Sequence, residues 1–412
     1  MKPNWIILGR FFALLLVLFS AYLLVLSSVF RSGRGGPGTK WFEPDILENY
    51  IRDHSSAEEI RAHLQYFTSF THVAGTEGGQ AQAQYVEAKF AESLEEVDVE
   101  EFEVYLDYPR DEANSRKVAI VSPDDMAWEA QLDETQIYAG DLRKANAHAF
   151  HAYSISGEAQ GSLIYANYGS HEDLQRLADE GIEVQGAIVL LRQREGQATA
   201  YQIRAVEVAG AAGCLVFSDT VEGSVYPNGR QMPEDGVHQG SVALSAHILG
   251  DPLTPGYPSL PTETRREPKD SSPALNRIPS LPLAWRNARI LLQALKGHGR
   301  NVANWTDSGV TGIDVWSGGP SSPKVLLRNI LDDIERKPIV NVVGRLVGIE
   351  QPDKVITVGN HRDSWCFGAG EPNGGTAVLL DVIRLFGELK NAGWRPLRTI
   401  EFVSWFVLNP II

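Results

Sequence analysis

Residues 358–387, VGNHRDSWCFGAGEPNGGTAVLLDVIRLFG, decide how the rest of the chain is read. The run leading into them, Lys354-Val355-Ile356-Thr357-Val358, is short, β-branched and uninterrupted, which predicts a strand buried on both faces. From Thr376 onward Val378, Leu379, Val382, Ile383, Phe386 and Leu389 recur at helical spacing, and Asn391-Ala392-Gly393 supplies a stop. A second strand-like run follows from Arg398 to Trp405. Strand, helix, strand in this rhythm predicts a βαβ unit with parallel neighbouring strands. His361 then stands just past the carboxyl end of the first strand, where open α/β sheets bind ligands. Asp363 lies two residues on and Glu371 ten residues on.

Those residue types suit a metal. An imidazole offers one neutral nitrogen to zinc, and a carboxylate can bridge two ions about 3.5–4 Å apart. Asp363 is placed to accept from the other ring nitrogen, as metal-bound histidines require. Most of the ten histidines read as surface or core residues, and on spacing alone that reading of His361 stays open beside the metal one. Cys366 reads as a packed thiol rather than a further zinc ligand.

Working outward, 412 residues with 43% hydrophobic and 22% charged content suit two or three globular domains. A net charge of −15 argues against nucleic acid and anionic membrane surfaces as partners. Phe11 to Phe30 is uncharged and, as a helix, would span about 30 Å, so it is expected to be a transmembrane signal anchor. Lys2 and Arg10 on one side and Arg31, Arg34 and Lys40 on the other leave its orientation open. The sequon Asn304-Trp305-Thr306 favours a lumenal or extracellular ectodomain with a glycan at Asn304. Two cysteines, Cys214 and Cys366, make no disulfide framework.

Residues 31–47 read as a juxtamembrane linker after a short cytosolic tail, 1–10. EEIRAHLQYFTSF (58–70) and GGQAQAQYVEAKFAESL (78–94) read as helices around the turn THVAGTEGG, and EEVDVEEFEVYLDYP (95–109) as a strand with one solvated face. Then the texture changes. GSLIYANYG, GAIVLLR and GCLVFSD read as strands, TAYQIRAVEVAGAAG as a helix, and 250–273 as loop throughout. The α/β pattern resumes near PIVNVVGRLVG at 338–348. A domain at 114–333 is therefore expected to be inserted into an α/β domain whose parts lie at 48–113 and 334–412.

The segment from His361 to Trp405 resembles the metal-binding part of the glutamate carboxypeptidase II family, type II membrane zinc peptidases with transferrin receptor as a non-catalytic relative. FTSFTHVAGTEGG, GAIVLLR, AGAAGCLVFSD and GDPLTPGYP carry the likeness further, so that it covers most of 45–405. It implies a split exopeptidase domain, with a mainly parallel mixed sheet and helices on both faces, interrupted by a protease-associated (apical) β-rich α/β domain. By the same likeness His361 is a zinc ligand, Glu371 the carboxylate bridging two zincs, and Asp363 the partner of His361. Thr254 and Tyr257 match positions whose carbonyls help hold a structural calcium. Arg192 matches an arginine that grips an acidic side chain of the peptide substrate, although RQREGQATAY departs from the family pattern right after it. The resemblance implies release of C-terminal, often acidic, residues and a single-pass type II protein at the cell surface or in an endomembrane compartment. The runner-up is a receptor-like, non-catalytic binding protein.

Two departures stand out. The family's bridging residue is Asp before Pro-x-Ser-Gly, whereas this chain has Glu371-Pro372-Asn373-Gly374-Gly375. After Ser404-Trp405 the family continues with Asp-Ala-Glu-Glu, including the general base, whereas Phe406 to Ile412 carry no carboxylate. The expectation is a peptidase by descent, truncated after Trp405, without the family's dimerisation domain, and unable as written to hold a stable pair of zinc ions or to catalyse.

Overall fold

The structure, a computed structural model, describes residues 44–112, 114–134, 148–193, 196–218, 234–302 and 313–406, together with 16, 17, 19, 20 and 22. Expectations for the rest of the 11–30 run, for the 31–43 part of the linker, for Asn304 and for 407–412 lie outside these residues. Leu16, Val17, Phe19 and Tyr22 are helical and 61–71% exposed. Among the described residues no helix is long and apolar enough to cross a membrane.

The chain opens with helices α1 (Pro44–His54), α2 (Ala57–Phe67) and α3 (Glu77–Ser93). Ser56 starts α2 by accepting from the Glu59 N–H, and Thr76 starts α3 by accepting from Gly79. Strand β1 (Glu96–Pro109) then leads out of this unit into β2 (Arg116–Ser122), β3 (Trp128–Glu129), β4 (His151–Ala152) and β5 (Gly157–Tyr165). Next come α4 (His171–Asp179), β6 (Ile188–Arg192), α5 (Thr199–Val208), β7 (Gly213–Phe217), β8 (Gly240–Ser241), β9 (Ser280–Leu283), α6 (Trp285–Ala294) and β10 (Lys324–Asn329). A single residue later β11 (Leu331–Leu346) re-enters the first unit, followed by β12 (Gln351–His361), α7 (Asn373–Asn391) and β13 (Arg398–Trp405).

Two main sheets result. One has seven strands in the order β3-β2-β10-β5-β6-β7-β9, with β5, β6, β7 and β9 parallel. Its core is built from the uninterrupted Ile188–Leu191 run, Leu215, Phe217, Ile203 and Leu291, all fully buried. The other has four strands in the order β1-β11-β13-β12. Because the chain leaves along β1 and returns along β11, those two strands are antiparallel, pairing from Glu96↔Arg345 to Pro109↔Leu331. Only β12 and β13 are parallel, in keeping with the βαβ rhythm of the sequence.

Four expectations need correction. The four-stranded sheet is not mainly parallel: two of its three pairings are antiparallel. Among the described residues its helices lie on one face, where Phe67, Phe90, Leu379 and Ile383 pack on Val342 and Phe402. Alternation along the strands sends Asp98, Arg345 and Glu401 to the other face, where they form ion pairs. Finally, β12 is not buried on both faces. It is an edge strand, exposed from Gln351 to Gly359, with Val355 at 49% and Ile356 at 48%. Strand β1 also differs from a simple half-solvated strand. Its first half is open, while Phe102 to Asp107 sink into a core shared with Phe150, Tyr153, Leu253 and Leu275 of the second unit.

Candidate functional site

His361 closes β12 directly opposite Trp405 of β13, at the carboxyl ends of the parallel pair. The next residue secures that corner. Arg362 is fully buried and donates to the Ser404 carbonyl at 2.6 Å, the Ser404 hydroxyl at 2.9 Å and the Val340 carbonyl at 2.5 Å, tying the end of β12 to β13 and to the middle of β11. Across the loop, the start of α7 is fastened to the same strand. Asn360 Nδ2 donates to the Pro372 carbonyl and to Thr376 Oγ1, and Thr376 Oγ1 donates to the His361 carbonyl. Gly375 is required for this approach, since a Cβ there would lie 2.6 Å from Asn360 Oδ1.

On this frame three predicted residues converge. His361 Nδ1 meets Asp363 Oδ1 at 3.3 Å, and His361 Nε2 meets Glu371 Oε1 at 2.5 Å. Asp363 is buried, whereas the Glu371 side chain is 78% exposed. Burial works against charging the imidazole, but its hydrogen bonds to Asp363 and Glu371 outweigh that and raise its pKa. Each ring nitrogen of His361 thus faces one carboxylate oxygen, so the imidazole is fixed from both sides. With Asp363 fixing the Nδ1 proton, the Nε2 lone pair of the neutral ring points at Glu371, so a shared cation would replace any proton between Nε2 and that carboxylate. An imidazole and a carboxylate are the donor types zinc takes. The number of donors is short, however: among the described residues no group of three or more His, Cys, Asp or Glu stands ready to hold a metal ion.

The remaining predicted residues lie in the second unit. Arg192 ends β6 and is fully buried, its guanidinium 5.5 Å from the Tyr168 ring centroid. Thr254 and Tyr257 sit in a closed turn. The Thr254 carbonyl accepts from the Tyr257 N–H at 3.3 Å, and the Thr254 hydroxyl meets Ser259 at 2.6 Å. The neighbouring carboxylate, Asp251, is satisfied by the Tyr105 and Leu253 N–H groups, the Ser259 hydroxyl and Arg266 Nη1 at 2.7 Å. Arg266 thus neutralises Asp251, while the Thr254 carbonyl, with one N–H donor, keeps a second lone pair. Cys366 is a packed thiol: Sγ faces Gln239 Oε1 at 3.8 Å, and burial, aided by Glu134, pushes its pKa up.

Several residues that build the site are not evident from the sequence. Besides Arg362, Asn360 and Thr376, the buried pair His72 and Asn373 joins the N-terminal helices to the loop at 2.9 Å. A signal is present, since His72 stands inside the THVAGTEGG turn, but its partner is 301 residues away. The loop also rests on the second unit, where Trp365 packs edge-on against Phe150 with centroids 5.2 Å apart.

Comparison with known proteins places these features in a wider setting. Residues 152–249 match the PA domain. The chain is 33% identical over 400 residues to an inactive zinc metalloprotease of Schizosaccharomyces pombe, covering 93% of this chain and 49% of that protein. It is also 33% identical over 371 residues to a probable glutamate carboxypeptidase of Arabidopsis thaliana, covering 87% and 48%. Among solved structures, an aminopeptidase from Aneurinibacillus sp. strain AM-1 has a similar fold, with a TM-score of 0.51 at 15% identity over 87% of this chain and 65% of that one. The chain thus spans about half the length of the curated relatives it matches.

Proposed function

The chain belongs to the glutamate carboxypeptidase family of zinc exopeptidases, and on that premise we propose that it contributes the His361–Glu371 part of a peptidase zinc centre. The observation that carries this reading is the convergence of His361 Nε2 and Glu371 Oε1, with Asp363 on the far side of the ring. In this proposal Asp363 holds the Nδ1 proton and so presents Nε2, while Glu371 brings negative charge and a second donor oxygen. Zinc bound there supplies a Lewis acid and a water acidified towards neutral pH. The further ligands and the general base that hydrolysis requires are not among the described residues. The substrate class in this proposal is a peptide with an acidic C-terminal residue. A structural calcium on the Thr254 and Tyr257 carbonyls belongs to the same proposal and rests on the family resemblance alone.

The same reading makes residues 11–30 a membrane anchor and sets 31–412 in a lumenal or extracellular compartment, with Asn304 glycosylated. It treats the seven-stranded unit as an insertion between the two parts of the peptidase domain. Support for the insertion comes from the neck, where β1 and β11 leave and re-enter side by side. A non-catalytic role has one observation in its favour: a relative of 33% identity is itself named inactive.

Two experiments test the proposal. Zinc is titrated into the full chain carrying ¹⁵N-labelled histidine. The His361 ring signals should shift first, and His361→Ala should abolish the tightest site. Zinc that perturbs other histidines and spares His361 overturns the metal reading. For the topology, expression in a secretory host followed by endoglycosidase should give a mobility shift that Asn304→Gln removes. No shift in the parent protein contradicts it.

A further inference from the structure

The side chain of Glu371 is exposed and its one hydrogen bond among the described residues is to His361, so its aim depends on the backbone that carries it. That backbone is the loop from Arg362 to Pro372, and two of its attachments lead to one residue. Asn373, fully buried at the start of α7, donates its N–H to the Gly368 carbonyl at 2.9 Å. Its amide Nδ2 donates to the Phe367 carbonyl at 3.2 Å and to His72 Nε2 at 2.9 Å. The tautomer follows from the partners. His72 Nδ1 faces the Phe70 carbonyl at 3.0 Å and must be the donor, which leaves Nε2 as the acceptor and fixes the orientation of the Asn373 amide. The backbone carbonyl of His72 accepts from the Ser364 N–H at 3.3 Å. One residue thus grips the loop one position after Asp363 and two positions after Glu371.

The turn that presents His72 is itself rigidly specified. Gly78, in the first turn of α3, approaches so closely that a Cβ would lie 2.0 Å from the Thr71 carbonyl oxygen. Gly75 has φ near 74°, in the left-handed region. A neutral, fully hydrogen-bonded imidazole held this way acts as a rigid strut between the N-terminal helices and the loop.

We propose that His72 is a positioning residue for the His361–Glu371 pair, setting the aim of Glu371 through Asn373 and that of Asp363 through Ser364. The proposal rests on the reading of His361 and Glu371 as zinc ligands. Outer partners of metal ligands typically contribute about 10–100-fold in metal affinity. A histidine that only filled the core would, when replaced, lower the stability of the whole protein and leave the loop no looser than any other part.

The test uses the full chain with His72→Phe, which keeps a ring and removes the acceptor, and with Asn373→Ser, which cuts the same bond from the other side. His72→Gln, whose carbonyl oxygen can accept from Asn373, is the rescue variant. Hydrogen exchange is followed at the Ser364 and Asn373 amides, with β6 amides as internal reference, and zinc affinity is measured by chelator competition. Expected are a roughly tenfold or greater rise in loop exchange relative to β6, a 10–100-fold loss in zinc affinity, and partial recovery of both in His72→Gln. If His72→Phe does not fold, Asn373→Ser decides. Loop exchange that is unchanged, or that rises only in step with β6, overturns the proposal and leaves the zinc reading intact. Parent protein that takes up no zinc, while loop exchange rises as expected, overturns the zinc reading and leaves His72 as the anchor of the loop.

Discussion

Replacing Asp107 by asparagine should make the protein more stable at neutral pH and leave it nearly unchanged in mild acid. Asp107 lies on β1 opposite Asp333 of β11, in the ribbon where the chain passes between the two units, and is 2% exposed. Both of its oxygens accept from the Tyr153 N–H, at 2.9 and 2.8 Å. Lys269 ion-pairs with Asp333 rather than with Asp107, and the Tyr105 hydroxyl also donates to Asp333. Burial raises the Asp107 carboxyl to about 7, with Asp333 adding to the rise and the Tyr153 N–H and Lys269 opposing it. In the unfolded chain an aspartate titrates near 3.9. Between those values the folded protein holds a proton that the unfolded chain has released. The contribution of Asp107 to stability is therefore fully present below about pH 4 and is lost as pH rises through about 7. The slope is about 1.4 kcal/mol per pH unit, up to about 4 kcal/mol in all. The Asp107→Asn variant has no such slope, and its side-chain amide keeps an acceptor oxygen for the Tyr153 N–H. Urea denaturation of both proteins from pH 4 to 7.5 should give stability curves that meet near pH 4 and diverge in favour of the variant. Parallel curves would refute the reasoning, because they would mean that Asp107 titrates alike in the folded and unfolded states.

His151 should show the opposite sign. It is fully buried with Nδ1 on the Ser280 hydroxyl, and burial, with His238 nearby, lowers it to about 3, so its contribution is present above about pH 6.5 and is lost as pH falls towards 3. The stability of His151→Gln relative to the parent should rise by about 1.4 kcal/mol per unit as pH is lowered from 6 to 4, and a flat difference would contradict this. At the free edge of β12, Ile356→Lys should reduce self-association measured by light scattering, since an exposed apolar edge strand templates pairing with another chain. Association unchanged by that substitution would show that another surface is responsible.

How much of this is legible in the sequence depends on whether the signal is local. The runs Ile188–Arg192 and Gly213–Phe217, with Thr199–Val208 between them, read correctly because a fully buried parallel strand is apolar at every position and a helix has its own period. The His361, Asp363 and Glu371 cluster is equally legible, because one loop carries all three. Strand β12 misleads, since β-branched residues favour a pleated backbone whether or not a neighbour covers it, and its burial depends on strands and helices elsewhere. The antiparallel partner of β1 is hidden for a similar reason: it lies more than 200 residues away, beyond the whole seven-stranded unit. His72 and Arg362 escape a sequence reading because their roles consist of contacts to distant carbonyls and amides, which leave no periodicity in the chain.

The central claim, that His361 and Glu371 share a zinc ion, is tested most directly by anomalous diffraction at the zinc absorption edge from crystals of the full chain grown with zinc. The account predicts an anomalous peak about 2.0–2.2 Å from His361 Nε2 and within the same range of a Glu371 carboxylate oxygen. Zinc peaks found only elsewhere, with the 2.5 Å His361–Glu371 contact unchanged, would contradict it.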